Sequence, residues 1–177
     1  MSGRFYFSIV LALFCLTSAS AQNLPAETHP SLLFSPEDIP LFKERITRAP
    51  YDTWWQTVLT RSQNGLAAEA PERSKARLAK SMAFTYLMTD DETWAEQALA
   101  LMQDTQFPPR GGDMGQPHNE GEIVAHYALA YDMLHSYAAA NNPTALAAVR
   151  EILAEEAARL EKGIVIQEID LGLISLK

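Results

Sequence analysis

Polar and apolar positions alternate with a helical period along most of this chain, most densely between Glu120 and Ala140. There Ile123, Val124, Tyr127, Ala130, Tyr131, Leu134 and Ala138 recur at steps of three and four, while Leu129 and Met133 lie on another side of the same cylinder. A surface helix needs one apolar stripe; a helix with more than one must be surrounded by other helices. Earlier in the chain, Ser35-Pro36-Glu37-Asp38 predicts a helix start, with a hydroxyl cap, a proline tolerated in the first turn and acids facing the positive end of the dipole. A short helix over Leu41 to Arg48 is expected, then one over Tyr51 to Ser62 that Asn64-Gly65 stops.

Two helix pairs follow. Glu72 to Met88 turns at Thr89-Asp90-Asp91 into Glu92 to Gln103, and Glu120 to Ala140 turns at Asn141-Asn142-Pro143 into Thr144 to Lys162. Thr89 with Glu92 fits a capping box, with either aspartate as a competing cap. Alanine is frequent in both pairs, which favours helix and lets helices approach closely. Two antiparallel helical hairpins joined by a long loop predict an all-α, helical-repeat architecture. No strand pattern of useful length precedes residue 164; Ile164 to Lys177 leaves the helical pattern after Gly163 and reads as a short strand or as the end of an incomplete chain.

Residues 1–21 change the picture of where the protein works. Arg4, the apolar run Phe5 to Thr17 and the Ala19-Ser20-Ala21 cleavage pattern read as a secretory signal, so the mature chain is expected to begin at Gln22 and to be periplasmic or secreted. The run is short of the roughly 20 apolar residues of a membrane span, and no membrane association is expected once it is removed. Cys15, the only cysteine, would leave with it, so stability must come from packing and not from disulfides. With 14 Lys plus Arg against 22 Asp plus Glu, the formal charge is −8, which argues against nucleic acid or an anionic membrane as partner. An acidic sugar polymer stays open, because a local basic groove outweighs the global sign within a Debye length of about 8 to 10 Å.

The loop from Phe107 to Asn119 carries the polar groups best suited to a ligand. Arg110, Gln116, His118 and Asn119, with Asp113, are of the types that bind sugar hydroxyls or a carboxylate, and long ordered loops are often functional; the plain alternative is a connector whose His118 or Asn119 caps the next helix. His118, Glu122 and His126 stand four apart, the spacing of a metal face on a helix, but the signal is weak: a cap followed by an ordinary i,i+4 pair explains them better, and no metal is expected. Asp132 sits in the most apolar helix, where a carboxylate must be satisfied or shift its pKa; anchoring a neighbouring backbone turn and general acid–base work are its two readings. Tyr127, Tyr131 and Tyr137 are of a type that can act as phenolic acid or base, or fill the core. Trp54, Trp55 and Trp94 are of a type that stacks on sugar rings, although early helix positions favour packing. No P-loop, dinucleotide fingerprint, nucleophile elbow, HExxH or cysteine–metal spacing occurs, so no cofactor is expected.

HPSLLFSPEDIPLFKERI (His29 to Ile46), PYDTWW, LAKSMAFTYLMTDDETWAEQAL (Leu78 to Leu99) and GEIVAHYALAYDML (Gly121 to Leu134) occur in that order. As an ordered set they resemble the N-terminal helices of heparinase II/III-like and alginate-lyase-like polysaccharide lyases. The resemblance implies an incomplete (α/α) toroid over residues 22–163, acting on uronic-acid polysaccharide by β-elimination. In such enzymes an Asn or His neutralises the substrate carboxylate, a Tyr or His removes the adjacent proton and a Tyr protonates the leaving oxygen. Those residues lie on helices later than the AYD helix, and His118-Asn119 has the pair in reverse order and too early, so no catalytic role is carried onto any residue here. The missing C-terminal part of the same enzyme is then the expected partner. The alternatives are a toroidal glycoside hydrolase, which would need opposed carboxylates drawn from Asp113, Glu120 and Asp132, and a non-catalytic exported module that binds a glycan or a protein.

Overall fold

The computed structural model describes residues 28–67, 69–107 and 117–170; side chains are described except at 117–119 and 163–170. The expected signal segment, Cys15, Arg110, Asp113, Gln116 and the last seven residues lie outside this set. Among the described residues the protein is all-α. A 3-10 turn (Pro36–Asp38) leads into α1 (Ile39–Arg45), followed by α2 (Tyr51–Asn64), α3 (Glu72–Thr89), α4 (Glu92–Gln103), α5 (Pro117–Asn141) and α6 (Pro143–Asp170).

Local chemistry sets the ends. Gly65 closes α2 at φ +62°, a conformation glycine adopts without strain. Asp90 closes α3 in the left-handed region at φ 58°, which a short polar side chain tolerates. The cap of α4 is Asp91, whose Oδ1 accepts from the Thr93 N–H at 3.1 Å; Thr89 instead donates its hydroxyl to the Thr85 carbonyl at 2.8 Å. The competing aspartate therefore takes the cap that the Thr89-Glu92 spacing offered. Helix α1 begins at Ile39, ahead of the expected Leu41, with Pro40 in its first turn where the missing N–H costs nothing.

Two boundaries depart from the sequence reading in ways that matter. Helix α5 starts at Pro117, three residues earlier than expected, because proline is pre-organised for a first helical position; His118 and Asn119 therefore fall in its first turn. Helix α6 runs through Gly163 to Asp170, so residues 164–170 are helical and form no strand. Glycine costs a helix interior only about 1 kcal/mol against alanine, and no proline follows to end it.

The hairpins α3–α4 and α5–α6 stack with α3 against α5 as the largest helix contact. Arg73 meets Glu122 at one end of that contact and Tyr86 meets Tyr137 at the other, so α3 and α5 run parallel, as successive hairpins of a repeat do. Their shared core is built from Ala76, Ala79, Met82 and Ala83 on α3 and Ile123, Tyr127, Ala130 and Leu134 on α5, closed from the side by Ala95, Leu99 and Met102 of α4. Alanine at the contact lets the backbones approach while the larger α5 side chains fill the space. The other side of α5 is used as well: Met133 is buried and Leu129 partly so.

Helix α2 joins through a buried hydroxyl pair, Ser62 Oγ to Thr85 Oγ1 at 3.0 Å. The extended entry is tied down by Asp132, which is 3 % exposed. Its Oδ2 accepts from the Ser31 and Leu32 N–H groups at 2.8 and 2.9 Å, and its Oδ1 accepts from His29 Nδ1 at 2.7 Å. Asp132 anchors a backbone turn, one of the two roles its setting allowed.

Candidate functional site

Helix α3 presents Arg73, Arg77 and Lys80 at i, i+4 and i+7, one stripe along the edge facing α5. Helix α5 answers with Glu122 and His126, four apart on the same face as the backbone position of His118. Glu122 gathers the cations. Its Oε2 pairs with Arg73 Nη2 at 2.8 Å, and its Oε1 accepts from Arg77 Nε at 3.0 Å, from Arg77 Nη2 at closer range, and from His126 Nε2 at 3.3 Å. The hydrogen bond from Arg77 and the charges of Arg73 and Arg77 outweigh burial and hold the Glu122 carboxyl below the usual range.

Arg61 of α2 and Lys80 complete the shelf, and neither makes an ion pair among the described residues. Desolvation, then the charges of Arg61 and Arg77, pull the Lys80 ammonium below its ordinary pKa against the opposing pull of Glu122. Burial and the Lys80 charge likewise lower His126, whose Nδ1 is buried without a hydrogen-bond partner. A cavity of about 300 Å³ opens beside these groups, walled by Leu33, Phe34, Phe84 and Met133 and floored by Arg61 and Lys80. Arg73, Arg77 and Lys80 around Glu122, with Arg61 beside Lys80, in a chain of net charge −8, make this edge of α2 and α3 a local anion-binding field.

The residues expected to touch substrate divide around this shelf. Arg110 and Gln116 lie outside the described residues. His118 and Asn119 stand in the first turn of α5, one turn before Glu122, at the same end of the molecule as Arg73. The early start of α5 brings the backbone position of His118 into line with Glu122 and His126, but Glu122 is taken by two guanidinium groups. Among the described residues no cluster of three or more His, Cys, Asp or Glu is placed to hold a metal.

The remaining candidates sort by burial. Burial pushes the Tyr127 phenol far above its ordinary value, and its hydroxyl donates to Glu72 Oε2 at 3.3 Å inside the core. Tyr137 packs on Tyr86 at 5.2 Å between ring centroids, and Tyr131 meets His135 edge-on at 5.6 Å. Glu120 is buried against Arg159, 3.3 Å from Oε2 to Nη1. For Asp132, burial would raise the carboxyl, but the hydrogen bonds from His29, Leu32 and Ser31 together outweigh it and hold it low. Neither Glu120 nor Asp132 is a carboxylate open to a sugar. A further cavity of about 500 Å³ between α3, α4 and residues 65–67 has Lys75 and Asp104 at its edge, and Lys75 is committed to Glu72 at 2.8 Å.

The cationic stripe was legible in the string ERSKARLAK but is not among the expected site residues; reading basic residues at helical spacing, as apolar ones are read, finds it. The packing expected of the tryptophans holds for Trp94, half-buried against the core, and fails for Trp54, which is 61 % exposed. In comparisons with known proteins, no family model matches the chain and no curated sequence matches it. No helix among the described residues is long and apolar enough to cross a membrane.

Proposed function

We propose that this chain supplies the cationic wall of a uronate-binding cleft in an exported polysaccharide lyase of the (α/α) toroid type. The observation that carries the reading is the cluster of Arg73, Arg77 and Lys80 around Glu122, extended by Arg61 beside Lys80, toward the N-terminal end of α5 in an otherwise acidic chain. A polyuronate bears a carboxylate on every acidic sugar, so a row of cations along a helix edge binds it by repetition, and the local field dominates the net charge at short range. Parallel stacking of two hairpins is the repeat from which a toroid is built, and the resemblance of the helix sequences points to the same architecture.

On this reading the chain's contribution is binding and orientation. Proton abstraction beside the sugar carboxylate, and protonation of the leaving oxygen, fall to the Asn–His pair and tyrosine that the resemblance places on later helices. A toroidal hydrolase is disfavoured by the engagement of Glu120 and Asp132, since hydrolysis needs two carboxyl groups facing the scissile bond. Removal of the leader after Ala21 would place the protein in the periplasm or outside the cell, where such polymers are met.

The test is calorimetric titration of the purified chain with oligouronates of alginate and glycosaminoglycan type and with a neutral glucan oligosaccharide, at low and physiological salt. Binding is expected for the acidic ligands only, weakening with salt, and weakened by the double substitution Arg61→Ala with Lys80→Ala. Each exposed ion pair is worth about 0 to 1 kcal/mol, so the pair of substitutions should reduce affinity up to roughly 30-fold. Equal binding of the neutral glucan, or indifference to both substitutions, would remove the proposal.

A further inference from the structure

Trp54 is the most solvent-exposed tryptophan side chain of the chain, and it does not stand alone. Tyr51, also exposed, meets it edge-to-face at 5.4 Å and 89°, and the Arg45 guanidinium lies 5.9 Å over the Tyr51 ring. Beneath them Trp55 and Phe84 pack at 6.3 Å, fixing the floor of a groove of about 240 Å³ that Phe42 and Val58 also line. Drug-sized pockets begin near 300 Å³, so this groove suits one ring and not an extended ligand. Its walls are mostly aromatic, and among the described residues Arg45 is the cation on its lining.

The groove adjoins the cavity of the cationic shelf. Val58 and Phe84 form a common wall between it and the cavity floored by Arg61 and Lys80. Trp54, Val58 and Arg61 follow one stripe of α2 at i, i+4 and i+7, which puts Trp54 about 10 Å along the helix axis from Arg61. An aromatic face, a lone guanidinium and a row of cations are thus aligned along one edge of the molecule.

From this alignment we infer that the Trp54 groove is a second saccharide subsite, which takes one uronate ring of the same acidic chain whose neighbouring residues lie on Arg61 and Lys80. The apolar C–H face of a pyranose carries partial positive charge and complements the negative face of the indole. Arg45 pairs with the ring's carboxylate, which gives the groove a preference for acidic over neutral sugar. An exposed tryptophan held by an edge-on tyrosine over a packed aromatic floor presents a rigid platform, which reduces the ordering cost of binding. This inference rests on the polyuronate reading of the shelf, but it makes a separate claim about α1 and α2.

Tryptophan fluorescence during titration with a uronate oligosaccharide long enough to span both places tests it. Trp54 is at the surface, so Trp54→Ala is expected to leave the far-ultraviolet circular dichroism and the melting temperature unchanged. The wild-type spectrum should shift on titration; Trp54→Ala should abolish the shift and weaken binding roughly three- to tenfold, the range of a ring-on-ring contact. Trp54→Phe should recover part of the affinity. Arg45→Ala should narrow the difference between the uronate and a neutral oligosaccharide of the same length. Wild-type affinity in Trp54→Ala, with weakened binding in Arg61→Ala/Lys80→Ala, overturns the aromatic subsite and leaves the shelf standing; the converse pattern keeps a sugar on Trp54 but overturns the shelf and, with it, the claim that one chain spans both places. A wild-type chain that binds no oligouronate at all overturns both, and a spectral shift given only by a proline-rich peptide overturns the saccharide assignment.

Discussion

Replacing Asp132 with asparagine tests the contact that fastens the chain's entry to its most buried helix. The carboxylate receives two backbone N–H groups at 2.8 and 2.9 Å and the His29 ring at 2.7 Å while almost fully buried. Hydrogen bonds to a charged group contribute about 1.5 to 3 kcal/mol each. Asparagine keeps the shape and one acceptor oxygen, but turns a donor toward donors on the other side. The expected cost is therefore the loss of one or two charged bonds, about 2 to 4 kcal/mol. For a chain of this size about 1 kcal/mol moves the melting temperature by roughly 2 to 4 °C, so Asp132→Asn should melt roughly 5 to 15 °C lower in thermal denaturation at pH 7. The pH dependence supplies an internal check. A carboxyl whose folded pKa lies below its unfolded value adds stability above the unfolded pKa, near 3.9, and loses it as pH falls through the lower folded value. The gap between wild type and Asp132→Asn should therefore be widest above about pH 5 and close in stronger acid. A gap under 2 °C at pH 7, or one that persists unchanged at pH 2, would refute the assignment of this carboxylate as a charged anchor.

Leu134→Ala, at a position with no exposure in the centre of α5, should cost about 2 to 5 kcal/mol in urea denaturation. The same change at Leu33, which is 70 % exposed, should fall within about 0.5 kcal/mol of wild type. In a spectrophotometric titration the Tyr127 phenol should resist ionisation until the fold opens in strong base, because burial raises it far above the ordinary tyrosine value; Tyr127→Phe should leave the early part of that curve unchanged. Glu122→Gln should weaken polyuronate binding in calorimetry. Removing its charge gains about 1 kcal/mol for a carboxylate 4 Å away in water, whereas freeing Arg73 and Arg77 costs about 0.5 to 1.5 kcal/mol for each side chain that binding must re-order. Tighter binding would show that Glu122 only dilutes the shelf.

Helix content was legible in the sequence because its signal repeats. The two apolar flanks of Glu120 to Ala140 required burial on several sides; Ile123, Tyr127, Leu134 and Met133 are buried, and Leu129 and Tyr131 partly so. The hairpin turns at Asp90-Asp91 and Asn142 were marked by short polar residues that tolerate caps and left-handed backbone. Ends were less legible where single residues decide against weak competitors: Pro117 draws the start of α5 forward, and Gly163 is too small a penalty to stop α6. The expected site residues came from loop composition, which records polarity but not neighbours. The shelf joins three helices, and its pairing of Arg73 and Arg77 with Glu122 spans more than 40 residues of sequence. Trp54 escaped because its place early in a helix says nothing about whether another element covers it.

The anchor and the shelf are mechanically connected. Asp132 grips the N–H groups of Ser31 and Leu32, and the next two residues, Leu33 and Phe34, form one wall of the cavity floored by Arg61 and Lys80. Phe34 also meets Phe42 at 5.1 Å and Phe84 at 6.4 Å, so the same entry segment braces α1 against the wall shared with the aromatic groove. A buried carboxylate on α5 thereby sets the shape of a surface it does not reach. Its desolvation is tolerated because three donors from one short turn converge on it, whereas Arg61 and Lys80 of the shelf remain partly hydrated. The division follows from physics: the charge that holds the fold together is saturated and dry, while Arg61 and Lys80 have no carboxylate partner among the described residues and line an open cavity.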